Sequence, residues 1–202
     1  MAFANYSDLQ ASIANWLNRD DLTAQIPDFI AMAEARFNRE LRTIQMVKRA
    51  TATTSNEFVA VPADWLEAKD LDIGGQPLAF ITQDKLTEWK NNKVTGKTRF
   101  YTIVGKEFEL FPAPTSDVTV EMTYYAKIPS LSISNTSNWL LTKAPDLYLY
   151  GSLQQASTFL MDDMRLAAMA ANATAIIQFL NNESDDAAFS GAPLITRTRS
   201  AY

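Results

Sequence analysis

The sequence predicts an α+β protein in which helices from both ends of the chain form one bundle, with an antiparallel β module inserted between them. Three observations carry this. Apolar residues recur at helical spacing up to about residue 45, the period changes to two between about 46 and 130, and helical spacing returns after Pro145. Neither end alone has enough helices to bury its apolar stripe, so pairing across the sequence is the economical solution. The resulting division is 1–45 for the N-terminal helices, 46–130 for the β module, 131–186 for a C-terminal helical hairpin and 187–202 for an extended arm.

Ser7-Asp8-Leu9-Gln10 fits a capping box, in which a hydroxyl and an amide each satisfy an orphan backbone N–H. Leu9, Ile13, Trp16 and Leu17 then mark one helical face, and Asn18-Arg19-Asp20-Asp21 ends it. Pro27 suits the first turn of a second helix, since the N–H it lacks would have no partner there. Phe29, Ile30, Ala33, Phe37 and Leu41 are that helix's buried stripe.

Residues 46–54, rich in Thr and Val, and Phe58–Val61 read as extended runs, and Pro62-Ala63-Asp64-Trp65 reads as a tight turn. Gly74-Gly75 separates Leu71–Ile73 from Pro77–Ile81 as a hairpin would, and residues 84–91 suit a short helix. Gly105-Lys106 matches the Gly-X type II′ turn between Arg99–Val104 and Glu107–Phe111. Val118, Val120, Met122 and Tyr124 alternate with polar neighbours, the clearest half-buried strand in the chain.

After Pro145, Leu147, Leu149, Tyr150, Leu153, Ala156 and Leu160 outline a helix. Asp162-Asp163 caps the next, which runs for about 20 residues or ~30 Å and is rich in alanines that allow close helix approach. From Ala187 the chain has no period, contains Gly191 and Pro193, and carries Arg197 and Arg199 but no acid.

Composition narrows function. The chain has 202 residues, 47% of them apolar, and a net charge of −5, which disfavours broad binding to nucleic acid or anionic membrane. No apolar run approaches the ~20 residues that span a bilayer, and the N-terminus lacks a signal-peptide pattern, so synthesis in a cytoplasm is expected. Cysteine and histidine are both absent. Thiol nucleophiles, Ser–His–Asp triads and His- or Cys-ligated metals therefore cannot occur, while carboxylate-based catalysis remains possible. No catalytic residue, cofactor or metal is expected.

The remaining features have bland readings. Asp162-Asp163 is where a helix starts, and Ser184-Asp185-Asp186 lacks the spacing of a calcium loop. Gly74-Gly75 and Gly105 lack the several glycines of a phosphate loop. Phe100-Tyr101, Phe108, Phe111 and Tyr124-Tyr125 belong mostly to the β core, with an exposed member free to anchor a partner. Arg36, Arg39, Arg42, Lys48 and Arg49 outweigh Glu34 and Glu40, either as a solvated face or as one half of a subunit contact whose other half is the acidic cluster Glu183–Asp186. The tail is either a frayed end or an arm that orders on a partner, with Leu194, Ile195, Arg197 and Arg199 as its contacts.

Several stretches together resemble a known family. These are Asn5–Gln10 through Trp16-Leu17-Asn18-Arg19, Ile26–Ile30 through Ala33–Arg36, Val61–Glu67, Gly74–Leu78, Tyr101–Gly105 and Tyr124–Pro129. The most distinctive run is Asn138–Thr142, Pro145–Tyr148 and Tyr150-Gly151. They are similar to the head-to-tail adaptor (connector) proteins of tailed bacteriophages, a family that includes podovirus tail tubular protein A. The similarity covers about residues 4–190 and departs at Thr98, where the family pattern has proline and where a looser strand entry is expected.

The resemblance implies a structural virion protein, made in the host cytoplasm and resident in the neck, that forms a ring of twelve copies of itself. The ring would join the portal protein to a tail tube or nozzle protein and pass DNA through its lumen without reading sequence. It also implies a C-terminal arm reaching onto the portal. The rival readings are another neck component, such as a head-completion or tail-terminator factor, and, remotely, a small carboxylate-dependent enzyme.

Overall fold

The computed structural model describes residues 5–19 and 21–189. In chain order the first elements are α1 (Tyr6–Leu17), α2 (Ile26–Glu40), β1 (Val47–Thr54), β2 (Phe58–Ala60), β3 (Trp65–Ile73), β4 (Gln76–Pro77) and β5 (Ala79–Phe80). Then follow α3 (Gln83–Asn91), β6 (Phe100–Val104), β7 (Glu107–Phe111), β8 (Val118–Ala126), α4 (Trp139–Lys143), α5 (Pro145–Leu160) and α6 (Asp163–Phe189). They sort into two compact units: Met46–Lys127 forms one, and the residues up to Gln45 with those from Ile128 onward form the other.

The helical unit is built around α5, which packs against α1, α2 and α6. Helix α1 begins two residues earlier than the Ser7 box predicts. The Asn5 side chain accepts from the Asp8 N–H at 2.9 Å, and the Tyr6 N–H donates to the Thr136 carbonyl at 2.7 Å, so Ser7 already lies inside the helix. Leu9, Ile13 and Leu17 are buried as the stripe predicts, whereas Trp16 is 49% exposed and sits edge-on to Tyr150.

Pro27 occupies the first turn of α2, and Phe29, Ile30, Ala33, Phe37 and Leu41 are all buried. Gly151 of α5 lets the Phe37 ring approach its backbone, since a Cβ there would lie 2.6 Å from Phe37 Cζ. Asp162 caps α6 as expected, its carboxylate accepting from the Arg165 N–H at 3.2 Å. Helix α6 has 27 residues, about 40 Å, and continues beyond Asp186. Residues 187–189 are therefore helical rather than part of an extended arm, in keeping with the high helix propensity of Ala187 and Ala188.

The β unit contains two four-stranded sheets, ordered β1-β8-β3-β4 and β2-β7-β6-β5. Strand β8, with its predicted alternation, lies inside the first sheet and contributes Val120, Met122 and Tyr124 to a core shared with Val59, Leu71, Tyr101, Phe108 and Leu110. Gly74 and Gly75, both at positive φ (58° and 76°), close the β3–β4 hairpin between Ile73 and Gln76. Gly105 at φ 62° precedes Lys106 between the paired Val104 and Glu107, consistent with the expected II′ turn. The Trp65 N–H donates to the Pro62 carbonyl at 3.0 Å, which closes the predicted tight turn.

Three features differ from the sequence reading. Strand β3 starts at Trp65, not Leu71, because register shifts between Trp65 and Glu67 and between Ala68 and Asp70 erase the alternation that would reveal it. Strands β5 and β6 pair in parallel, with α3 supplying the crossover that a parallel pair requires. Thr98 does not loosen the entry to β6: its hydroxyl donates to the Pro112 carbonyl at 2.7 Å and fastens it.

Candidate interaction surfaces

Of the expected partner-binding residues, Leu194, Ile195, Arg197 and Arg199 lie outside the described residues, while Arg39 and Arg42 lie at the C-terminal end of α2. The end of α2 is stitched to α6. Asn181 accepts from the Arg42 N–H at 2.9 Å and donates to the Glu40 carbonyl at 3.0 Å, and the Ser184 hydroxyl accepts from the Ile44 N–H at 2.8 Å. The basic segment and the acidic cluster are thus brought together within one chain, at least over residues 36–45.

Their side chains divide accordingly. Arg36 is turned inward, bonding Glu40 at 2.9 Å, Thr174 at 2.9 Å and Gln154. Arg42 places its guanidinium on the Asn38 and Leu41 carbonyls, 3.1 and 2.7 Å away, where a helix C-terminus attracts positive charge. Arg39 is exposed and has no side-chain partner among the described residues. Glu183 pairs with Lys143 at 2.8 Å, and Asp185 and Asp186 are exposed. Lys48 and Arg49 belong to the β unit, where Lys48 pairs with Asp64 at 2.7 Å.

Among the described residues two carboxylates are buried, and both have structural partners. Glu34 on α2 accepts from the Leu131 N–H at 2.8 Å and the Tyr148 hydroxyl at 3.0 Å. Asn138 donates to Tyr148 and to the Pro129 carbonyl, each at 2.7 Å, and caps α4 by accepting from the Leu141 N–H at 2.8 Å. Burial raises the Glu34 carboxyl above its ordinary range against the pull of these bonds, and burial beside Glu34 raises the Tyr148 hydroxyl. This network pins the segment returning from β8 onto α2 and α5. In the β unit, Lys90 bonds the buried Glu109 and reaches Glu57 at 3.3 Å. Among the described residues no group of three or more acidic side chains is placed to hold a metal ion, and no helix is long and apolar enough to cross a membrane.

What sequence reasoning missed is exposed apolar surface. Met161 and Met164, each 89% exposed, flank the α5–α6 turn, and Phe179 on α6 is 67% exposed. Phe179 falls off the Ala173–Ile177–Leu180 stripe that α6 buries, a signal that a helical projection of this segment contains. The turn methionines follow from Met161 adopting a left-handed C-cap (φ 55°) beyond the reach of the core.

The two buried carboxylates are tied into the scaffold, and apolar and basic groups face outward around them. The family model of the SU10 adaptor proteins matches residues 4–197, nearly the whole chain, and the chain belongs to that family. Membership supports a bacteriophage structural protein. No individual curated protein matches the chain.

Proposed function

We propose that this chain is a head-to-tail adaptor, resident in the virion neck, whose copies form a closed ring of about twelve between the portal protein and a tail tube or nozzle protein, in the manner of tail tubular protein A. The observation that carries the reading is family membership across residues 4–197. Outward-facing Arg39, Met161, Met164 and Phe179 support it, because a ring needs two different patches on each subunit rather than one self-complementary patch. Net charge −5 suits a lumen through which DNA slides without being gripped. Residues 190–202, including Leu194, Ile195, Arg197 and Arg199, act as a contact arm.

The test is native mass spectrometry and negative-stain imaging of the purified protein, alone and mixed with its portal. Closed rings that cap portal particles are expected. A protein that stays monomeric under both conditions, while portal particles remain bare, would remove the reading.

A further inference from the structure

Strand β1 is a long edge. It pairs with β8 on one side, and among the described residues its outer side has no backbone partner. Alternate residues of an antiparallel edge strand turn both N–H and C=O outward, so half of the peptide groups in this eight-residue strand face away from the sheet. Such edges are usually blunted by shortness, proline, a bulge or charged side chains, and β1 carries charge only at Lys48 and Arg49, near its start. The other three edges follow that rule: β4 has two residues and ends in Pro77, β5 has two, and β2 has three. Strand β1 has no proline or glycine and holds unbroken register from Val47↔Tyr125 to Thr54↔Val118.

Beside this edge the sandwich is open. The inward residues Ala50 and Ala52 are small, and a cleft of about 140 Å³ runs past them, lined by Val59, Val61, Phe108 and Met122. A strand added to β1 would turn every second side chain toward this cleft.

The described strands of a second copy do not supply that strand. Their other edges are too short, and β1 against β1 is a twofold contact that closes a dimer instead of a ring. The 13 residues after Phe189 do fit. Leu194–Ser200 contains no glycine or proline and includes the β-branched Ile195, Thr196 and Thr198. Placing Leu194, Thr196 and Thr198 inward gives the cleft an aliphatic chain and two methyl groups. Ile195, Arg197 and Arg199 then face outward, on the side of the sheet that carries Arg49 on β1 and Glu121, the register partner of Thr51, on β8.

We propose that β1 accepts residues 194–199 of a second copy by strand addition, so that each ring contact joins one chain's tail to the next chain's β unit. This rests on the ring reading, and it gives the arm a landing place on a neighbouring adaptor subunit.

The chain has no cysteine, so introduced pairs are its only thiols. Thr51→Cys or Thr53→Cys is combined with Arg197→Cys or Arg199→Cys, which the proposal places on the same face, in the full-length protein and oxidised, with Glu88→Cys on α3 as the control partner for the tail cysteine. A disulfide needs Cα atoms within about 7 Å, so only adjacent strands will lock. A ladder of covalent multimers is expected in at least one of the four pairings and absent from the control. Thr196→Pro combined with Arg197→Pro, one of which removes a ladder N–H whichever way the strand turns, should lower hydrogen-exchange protection of the 47–54 amides that face away from β8, and lower ring yield. Closed rings with no ladder in any pairing would overturn strand addition and leave the ring intact. Cross-linking confined to single chains, or protection of the outward-facing 47–54 amides that survives the double proline substitution, would overturn it as well. A ladder without closed rings would support the strand contact and sink the ring.

Discussion

Glu34 keeps a carboxylate in an apolar setting because Leu131, Tyr148 and the surrounding network need its oxygen, and burial raises its pKa as a result. A raised carboxyl holds its proton longer in the folded than in the unfolded state. Stability should therefore fall as pH rises from about 4.5 through the folded value. Glu34→Gln keeps a carbonyl acceptor and removes the charge, so denaturation midpoints measured from pH 5 to 8 should decline less than those of the parent. Equal slopes would mean that Glu34 is solvated. Arg39 and Arg42 are adjacent in type but differ in role. Arg39→Glu should leave stability within ~0.5 kcal/mol, as an exposed substitution does, and weaken ring assembly more at low salt than at high salt. Arg42→Glu replaces the cation at the end of α2 with an anion and should cost ~1–2 kcal/mol in urea unfolding before any effect on assembly is read.

At the scale of elements, α5 and α6 pack through small residues, and Ala173 is fully buried. Ala173→Leu should overpack the seam and cost ~1–3 kcal/mol, whereas the half-buried Ala170 should tolerate leucine better; thermal melts of the two variants would show the contrast. Helix α4 depends on a single residue. Asn138→Ala removes its cap and leaves the Tyr148 hydroxyl and Pro129 carbonyl short of a donor, for an expected loss of ~2 kcal/mol. A loss under half of that would mean water replaces the amide. The sequence resemblance singles out Asn138 through Tyr148, and the structure gives a physical reason for the pattern: it is the polar clamp that closes the helical unit.

For the whole molecule, buried residues among the described ones already supply a core for each unit, and residues 190–202 are expected to add contacts rather than core. Deleting that segment should leave the melting temperature nearly unchanged and sharply reduce ring yield in native mass spectrometry. A truncated chain that assembles as the parent does would refute any role for the arm. One that melts many degrees lower would place the segment in the core instead.

Local chemistry made much of the architecture readable. The stripes of α1 and α2, the alternation of β8, the glycine turns at Gly74-Gly75 and Gly105 and the Asp162 cap are all set by residues close in sequence. The resemblance of Asn5–Gly151 to phage adaptors was likewise legible without coordinates. Other features depend on partners far along the chain. Asn5, not Ser7, starts α1 because Thr136 holds the Tyr6 N–H. Trp65 begins β3 because bulges against β8 hide the strand's period. Arg36 is spent on Gln154 of α5 and Thr174 of α6, and Arg42 on the carbonyls that end α2, while Arg39 is left outside. The free β1 edge and its cleft exist because Ala50 and Ala52 meet the opposite sheet without filling the gap. Periodicity reports which face of an element is apolar; only tertiary packing decides which part of that face the chain covers itself and which it leaves for a partner.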